Sequence, residues 1–138
     1  MPSSSFKTRN RVLWTAQTLV ALLFVFAGAM KFIMSPEKMQ QGPMVLPLGL
    51  IYFVGVCEIL GAFGLVLPGL FRIRTDLTPL AALGLTVIMI GAVTLTVLSM
   101  GIVPAIFPAV VGVVTALIAY NRRDALPAYS SRRVLHAA

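Results

Sequence analysis

The chain has 138 residues, of which 59% are hydrophobic and only 11% are charged, and its mean hydropathy is +0.96. A water-soluble globule needs far more polar surface, so this composition excludes that class and indicates an integral membrane protein. A net charge of +7 would suggest nucleic acid in a soluble protein, but here the basic residues lie in tails, in loops or near the ends of apolar stretches. We therefore expect these charges to orient the chain in a lipid bilayer, with no nucleic acid as partner.

Four apolar stretches are each long enough to cross the bilayer as a helix, which takes about 20 residues. They are longer and more continuous than the strands of a membrane barrel. The sequence therefore predicts an all-α fold, a bundle of four transmembrane helices without a domain boundary. The predicted helices are 12–33, 48–68, 77–98 and 102–120, with tails at 1–11 and 121–138.

The basic residues support this count and predict the orientation. If the chain crosses four times, nine of them fall on one side of the membrane, and Lys31 and Lys38 fall on the other. The nine are Lys7, Arg9, Arg11, Arg72, Arg74, Arg122, Arg123, Arg132 and Arg133. Because cytoplasmic segments are enriched in Lys and Arg, we expect both termini to be cytoplasmic. The basic start and Ala27-Gly28-Ala29 also resemble a cleavable signal, but the apolar stretch is long for one, and we expect helix one to stay.

Helix one carries a polar face. Gln17, Ala21, Phe24, Gly28 and Lys31 follow one another at spacings of 4, 3, 4 and 3, so they share one side of the helix. We expect this face to pack inside the bundle. For Gln17, hydrogen bonds that hold helices together are the favoured interpretation, and contact with a ligand or proton is the alternative.

Glu58 is the only charge in the apolar run from Leu46 to Leu67, near the middle of helix two. A carboxyl group there is costly, so such residues are candidate functional sites. Small residues at helical spacing around it, such as Gly55 and Gly61, predict that Glu58 faces the bundle interior. Two interpretations remain open: a protonated, hydrogen-bonded acid that fixes helix register, or a proton carrier or hydrogen-bond partner for a polar ligand.

Lys31 is the obvious partner for Glu58, but its depth argues against direct contact. Lys31 lies about 13 Å outward of the centre of helix one at 1.5 Å per residue, whereas Glu58 is near mid-membrane. A direct pair would need a helix shift or a reaching lysine, so we favour an arrangement without direct contact, which a water or a ligand headgroup can bridge. The alternative for Lys31 is an ammonium group that snorkels to the interface.

Small residues also recur at spacings of three and four in helices three and four, where they would allow backbones to approach closely. Helix three offers Ala81, Gly84, Ile88 and Gly91. Over the whole chain the predicted packing residues are Gly28, Gly55, Gly61, Ala105, Ala109, Gly112 and Ala116.

The sequence lacks the motifs that several common chemistries need. It has no CxxC pair, metal-ligand cluster, glycine-rich phosphate loop or nucleophilic triad, and Cys57 is its only cysteine. We therefore predict no metal site, and the sequence gives no evidence of a bound cofactor. The connector from Ser35 to Pro47, rich in proline and glycine, is the longest between helices and is a candidate cover for an outward-facing pocket.

Two segments together resemble the DoxX family: FAGAMKF at 26–32, which ends helix one, and VGVCEILGAFGL at 54–65 in helix two. Arg11 matches the basic residue that commonly opens the family's first helix, and the similarity in layout extends to Arg123. The resemblance implies a four-helix bacterial inner-membrane protein of a family associated with membrane oxidoreductase assemblies, including a thiosulfate and quinone oxidoreductase subunit. Its motif falls on Lys31 and Glu58.

Three functions follow as hypotheses. The leading one is a subunit or accessory of a membrane oxidoreductase, not necessarily catalytic, that binds a quinone-like or other lipophilic molecule, or a partner protein, at Glu58 and Lys31. The second is a small proton-coupled exporter in which Glu58 alternates between proton and substrate. The third is a scaffold without ligand, in which the small-residue faces hold a homo-oligomer or a larger complex together.

Overall fold

The computed structural model describes residues 4–123 and Leu135. Its helices are α1 (Ser4–Ile33), α2 (Pro36–Met39), α3 (Leu48–Leu70), α4 (Leu77–Met100) and α5 (Ile102–Arg122). All of them except α2 are long and apolar enough to cross a membrane, and no strand occurs in the described part of the chain. The prediction of an all-α fold with four transmembrane helices is confirmed.

The long helices start and end close to the predicted residues, with one exception. Helix α1 begins at Ser4, so most of the tail predicted at 1–11 is helical. The helix continues because nothing in this polar segment interrupts it, and Thr8 donates a hydrogen bond to the Ser4 carbonyl within it. At the other terminus, the predicted tail from residue 121 still belongs to α5 at Arg122, and beyond residue 123 it lies outside the described residues except for Leu135.

The four long helices form a closed ring in chain order. α1 packs on α3, α3 on α4 and α4 on α5, and α5 returns to α1 through a smaller contact. Gly101 alone connects α4 to α5, at a φ of 93° that glycine adopts without a steric penalty. Consecutive helices are therefore antiparallel. We call the end with Arg9, Arg72 and Arg122 the basic end, and the end with α2 and Gly101 the connector end.

The core lies on the axis of this ring. Each long helix contributes one large, almost fully buried side chain to it, namely Phe24, Leu65, Leu85 and Ile118. The opposite faces carry many exposed Leu, Ile, Val and Phe side chains, which suits a helix that meets lipid. Because lipid is as apolar as these side chains, burial alone cannot hold the helices together, and close packing must do so.

Several predicted packing residues lie where helices touch. A methyl group at Gly28 would lie 2.8 Å from the Gly55 carbonyl oxygen, so α1 and α3 meet backbone to backbone. Gly61 faces Leu85 of α4, and Gly112 faces Met89 across the α4 and α5 contact. Ala105 is buried. These positions leave no room for larger side chains without movement of a neighbour.

The predicted inner faces of the last two long helices are partly wrong. Gly84 and Gly91 of α4 are exposed, and α4 instead buries Thr78, Ala82, Leu85 and Met89. In α5, Ala116 is exposed and Ala109 is half-buried, so both lie beside the buried face rather than on it. Thr115 takes the inner position because its hydroxyl meets that of Thr86, 3.0 Å away on α4.

The Gly28 contact yields a test of the packing. Gly28→Ala places a methyl group against the Gly55 carbonyl and Ile59, so we expect it to lower the free energy of unfolding by about 1–3 kcal/mol. Gly84→Ala is the matched control, because a methyl group there meets no other atom within 4 Å. Denaturant unfolding of both variants in one detergent checks this, and equal stabilities would contradict the close contact.

Candidate functional site

Lys31 and Glu58 form a direct ion pair between α1 and α3. The Lys31 Nζ donates to Glu58 Oε2 at 2.6 Å, and the Glu58 side chain is only 5% exposed, against 28% for Lys31. The prediction that Glu58 faces the interior is confirmed. The prediction that Lys31 and Glu58 do not touch was wrong, since their side chains are in direct contact.

The direct contact follows from helix register and side-chain direction. Lys31 Cβ packs beside Gly55, so Glu58 lies one turn deeper, about 4.5 Å along the axis rather than the larger distance expected. Side chains tilt toward the N-terminus of their own helix. Because α1 and α3 are antiparallel, Lys31 leans toward the basic end and Glu58 toward the connector end. The two therefore approach each other across the remaining turn.

Aromatic packing joins α1 and α3 close to the ion pair. The rings of Phe32 on α1 and Tyr52 on α3 stack with centroids 5.5 Å apart. Phe32 also covers Gly55, where a methyl group would lie 3.1 Å from its ring. These contacts join α1 and α3 one turn outside the ion pair and hold the backbone of both partners in place.

A cavity of about 310 Å³ opens beside the ion pair. Among the described residues, Lys31 and Glu58 are the only charged ones that line it. The remaining walls are aliphatic side chains and glycine from α3, α4 and the connector, including Leu46, Val54 and Gly91. The connector contributes Leu46 to the wall of this cavity. An apolar pocket with a few polar groups at one point is the usual form of a small-molecule site.

The ion pair has hydrogen-bonding capacity left. The ammonium of Lys31 has three N–H donors; one bonds Glu58, and the Ala27 carbonyl lies 3.4 Å from Nζ. Within the described part of the chain nothing accepts the third. Likewise, Glu58 Oε1 receives no hydrogen bond from the described residues. The two charged residues that line the cavity therefore have one donor and one acceptor left for a ligand.

Gln17 lies elsewhere, nearer the basic end, and is bonded within the protein. Its Nε2 donates to the Leu65 carbonyl at 2.6 Å, and its Oε1 accepts from Arg122 Nε at 3.0 Å. Gln17 thus links α1, α3 and α5. The structure does not bring it to Lys31 and Glu58.

Two contributors to this network, Arg122 and Trp14, escaped the sequence analysis. Arg122 was counted only as an orienting charge, and Trp14, whose ring lies 5.9 Å from its guanidinium carbon, was not considered. The hydrogen bond between Thr86 and Thr115 was also missed. A signal existed for Arg122, because an up-and-down bundle brings the end of its last helix beside the start of the first. Threonines in apolar helices carry no comparable signal, since most bond their own backbone.

The fold and the polar pair define a multi-pass membrane protein with an intramembrane ion pair. The described residues contain no cluster of three or more metal-ligating side chains. Residues 15–118 match the DoxX-like family, and the chain belongs to that family. Comparison with curated proteins and with solved structures found no match.

The ion pair predicts strong coupling between its two residues. Lys31→Met or Glu58→Gln alone leaves a partner uncompensated, and we expect each to lower the free energy of unfolding by up to about 3 kcal/mol. The free energy of unfolding of the double variant should fall by less than the two single losses added together. We expect a difference of about 1 kcal/mol or more, because the two residues touch. Denaturant unfolding of the four proteins at one pH measures this coupling, and strict additivity would contradict the pair.

Gln17→Leu should destabilise the basic end of the bundle. It leaves the Leu65 carbonyl and the Arg122 guanidinium without their side-chain partner, at an expected cost of about 1–3 kcal/mol. Thr18→Val is the control, because the Thr18 hydroxyl is exposed and bonds only the Trp14 carbonyl of its own helix. Thermal unfolding of both variants compares them, and an equal loss would argue against the link through Gln17.

Proposed function

We propose that the protein binds a quinone-like or similarly lipophilic molecule in the cavity beside Lys31 and Glu58, as a subunit or accessory of an oxidoreductase in a bacterial inner membrane. The observation that carries this proposal is the cavity itself, which is apolar except where the ion pair lines it. Membership of the DoxX-like family supports it.

The chemistry of the pair suits both redox forms of a quinone. A quinone carbonyl accepts hydrogen bonds, and the Lys31 ammonium has a donor left for it. A quinol hydroxyl also donates, and Glu58 Oε1 is an available acceptor. Because Lys31 and Glu58 neutralise each other, the site offers both functions without burying an isolated charge.

The size of the cavity favours a ring rather than a large cofactor. A volume of about 310 Å³ lies at the lower end of the usual range for ligand sites, roughly 300–1,000 Å³. Gly91 lines the cavity and is also exposed, so the pocket opens sideways toward lipid between helices. In the proposed complex the ring occupies the cavity, and an apolar tail leaves past Gly91 into the bilayer.

The role we propose for this chain is binding, not electron transfer. The sequence has a single cysteine and therefore no dithiol to exchange electrons. The residues at the cavity hold the ligand and can move a proton at Glu58. Oxidation and reduction of the ligand fall to a partner oxidoreductase.

The test compares binding of a short-chain ubiquinone to the purified wild type and to variants. Glu58→Gln removes the charge, and Gly91→Leu narrows the cavity mouth, so we expect each to weaken binding about tenfold or more. Gly84→Leu is the matched control, because Gly84 lies on the same helix in open space but does not line the cavity. Native mass spectrometry measures the bound fraction, and unfolding curves identify variants that fail to fold.

Each alternative has its own outcome in these experiments. Unchanged ubiquinone binding in Glu58→Gln and Gly91→Leu would remove the cavity as the site. Substrate uptake into proteoliposomes driven by a pH gradient, and lost in Glu58→Gln, would instead establish a proton-coupled exporter. A scaffold without ligand would show no bound ubiquinone in the wild type or the variants, and Glu58→Gln would leave its subunit number unchanged.

A further inference from the structure

A second groove lies at the opposite end of the bundle from the ion pair. It is a space of about 320 Å³ between α1 and α5. Its apolar walls are Val12, Leu13, Ala16, Val114, Leu117 and Ile118. Arg9 and Asn121 are the lining residues nearest the basic end, where both are exposed. The groove therefore has a polar mouth and an apolar body.

The position of this groove matches the polarity gradient of a bilayer. Arg9 lies near the start of the candidate membrane span that begins at Lys7, so it falls at headgroup level. From Arg9 to Ala16 the groove follows α1 for about 10 Å, at 1.5 Å per residue. Its apolar part thus extends from the headgroups into the hydrocarbon. Val12 and Leu117 are exposed along it.

The mouth of the groove carries concentrated positive charge. Arg122 of α5 is close enough to Arg9 of α1 for their like charges to act on each other. The Nη2 of Arg122 is buried and has no hydrogen-bond partner among the described residues. Trp14 and Gln17 hold the Arg122 side chain in this position, so it cannot turn away from Arg9 without breaking those contacts.

From these observations we propose that the groove is a binding site for an anionic phospholipid. The phosphate is held by the Arg9 guanidinium and by one N–H of the Asn121 amide, whose Nδ2 also donates to the Leu117 carbonyl at 2.8 Å, and Arg122 behind them adds to the positive potential. One acyl chain lies along the groove between α1 and α5. Basic pockets between membrane helices are suited to such headgroups, because the charge and the hydrocarbon are recognised together.

This site explains why α5 closes the ring with a smaller contact to α1. Arg9 and Arg122 are both basic and act on each other at this seam, and an anionic headgroup bound at Arg9 and Asn121 lowers their mutual repulsion. The acyl chain fills the space that side chains leave empty. The site is independent of the cavity at Lys31 and Glu58, which lies toward the connector end and is lined by α3 and α4.

Titration of the delipidated protein with phosphatidylglycerol tests the contribution of the Arg9 charge to lipid binding. Native mass spectrometry measures the lipid-bound fraction. We expect Arg9→Gln to weaken binding about fivefold, the effect of one basic residue near a membrane surface. Arg72→Gln is the matched control, since Arg72 is exposed at the same end but does not line the groove. Equal losses in the two variants would show general attraction to the basic end and overturn the site.

Two further arms test the groove and the source of the phosphate. Leu117→Trp fills the groove and should lower phosphatidylglycerol binding, whereas Val113→Trp on the same helix lies outside it and should not. Millimolar inorganic phosphate should leave lipid binding unchanged, because it makes no use of the apolar walls. Displacement of the lipid by inorganic phosphate, or equal binding by both tryptophan variants, would overturn a phospholipid site.

Discussion

The backbone contact between Gly28 and Gly55 determines how the rest of this bundle is arranged. Lipid gives apolar helices no hydrophobic reason to associate, so the distance between α1 and α3 depends on how closely their backbones can approach. With no side chain between the two glycines, a turn of α1 lies directly on a turn of α3. That approach carries Lys31 to within reach of Glu58 and leaves the cavity on the α4 side of the pair.

Polar contacts then tie the remaining helices to this pair. Gln17 joins α1 to α3 and α5 near the basic end, and Thr86 joins α4 to Thr115 of α5. Each of these contacts satisfies groups that hydrocarbon cannot solvate, so each is specific in a way that apolar packing is not. Polar bonds therefore join all four long helices, and the proposed ligand and lipid sites lie at the two ends of the bundle.

The success of the predicted helix faces depended on polar residues. In α1, Gln17 and Lys31 marked the inner side, and in α3 Glu58 did so, because a polar group in the membrane must turn from lipid. In α4 and α5 only small residues were available as guides, and Gly84, Gly91 and Ala116 proved to be exposed. A small residue is tolerated equally well against a helix and against lipid. Its spacing therefore predicts a possible contact face but does not select one.

The sequence alone was sufficient for the number of membrane-spanning helices, the membrane class, the DoxX resemblance and the inward direction of Glu58. Length, apolar continuity and the cost of a charge in hydrocarbon are local properties, and each can be evaluated along one segment. The direct Lys31–Glu58 bond, the cavity beside it and the bond from Arg122 to Gln17 required the assembled bundle. These features depend on axial register between antiparallel helices, where a displacement of one turn changes which side chains meet, and no single segment encodes that register.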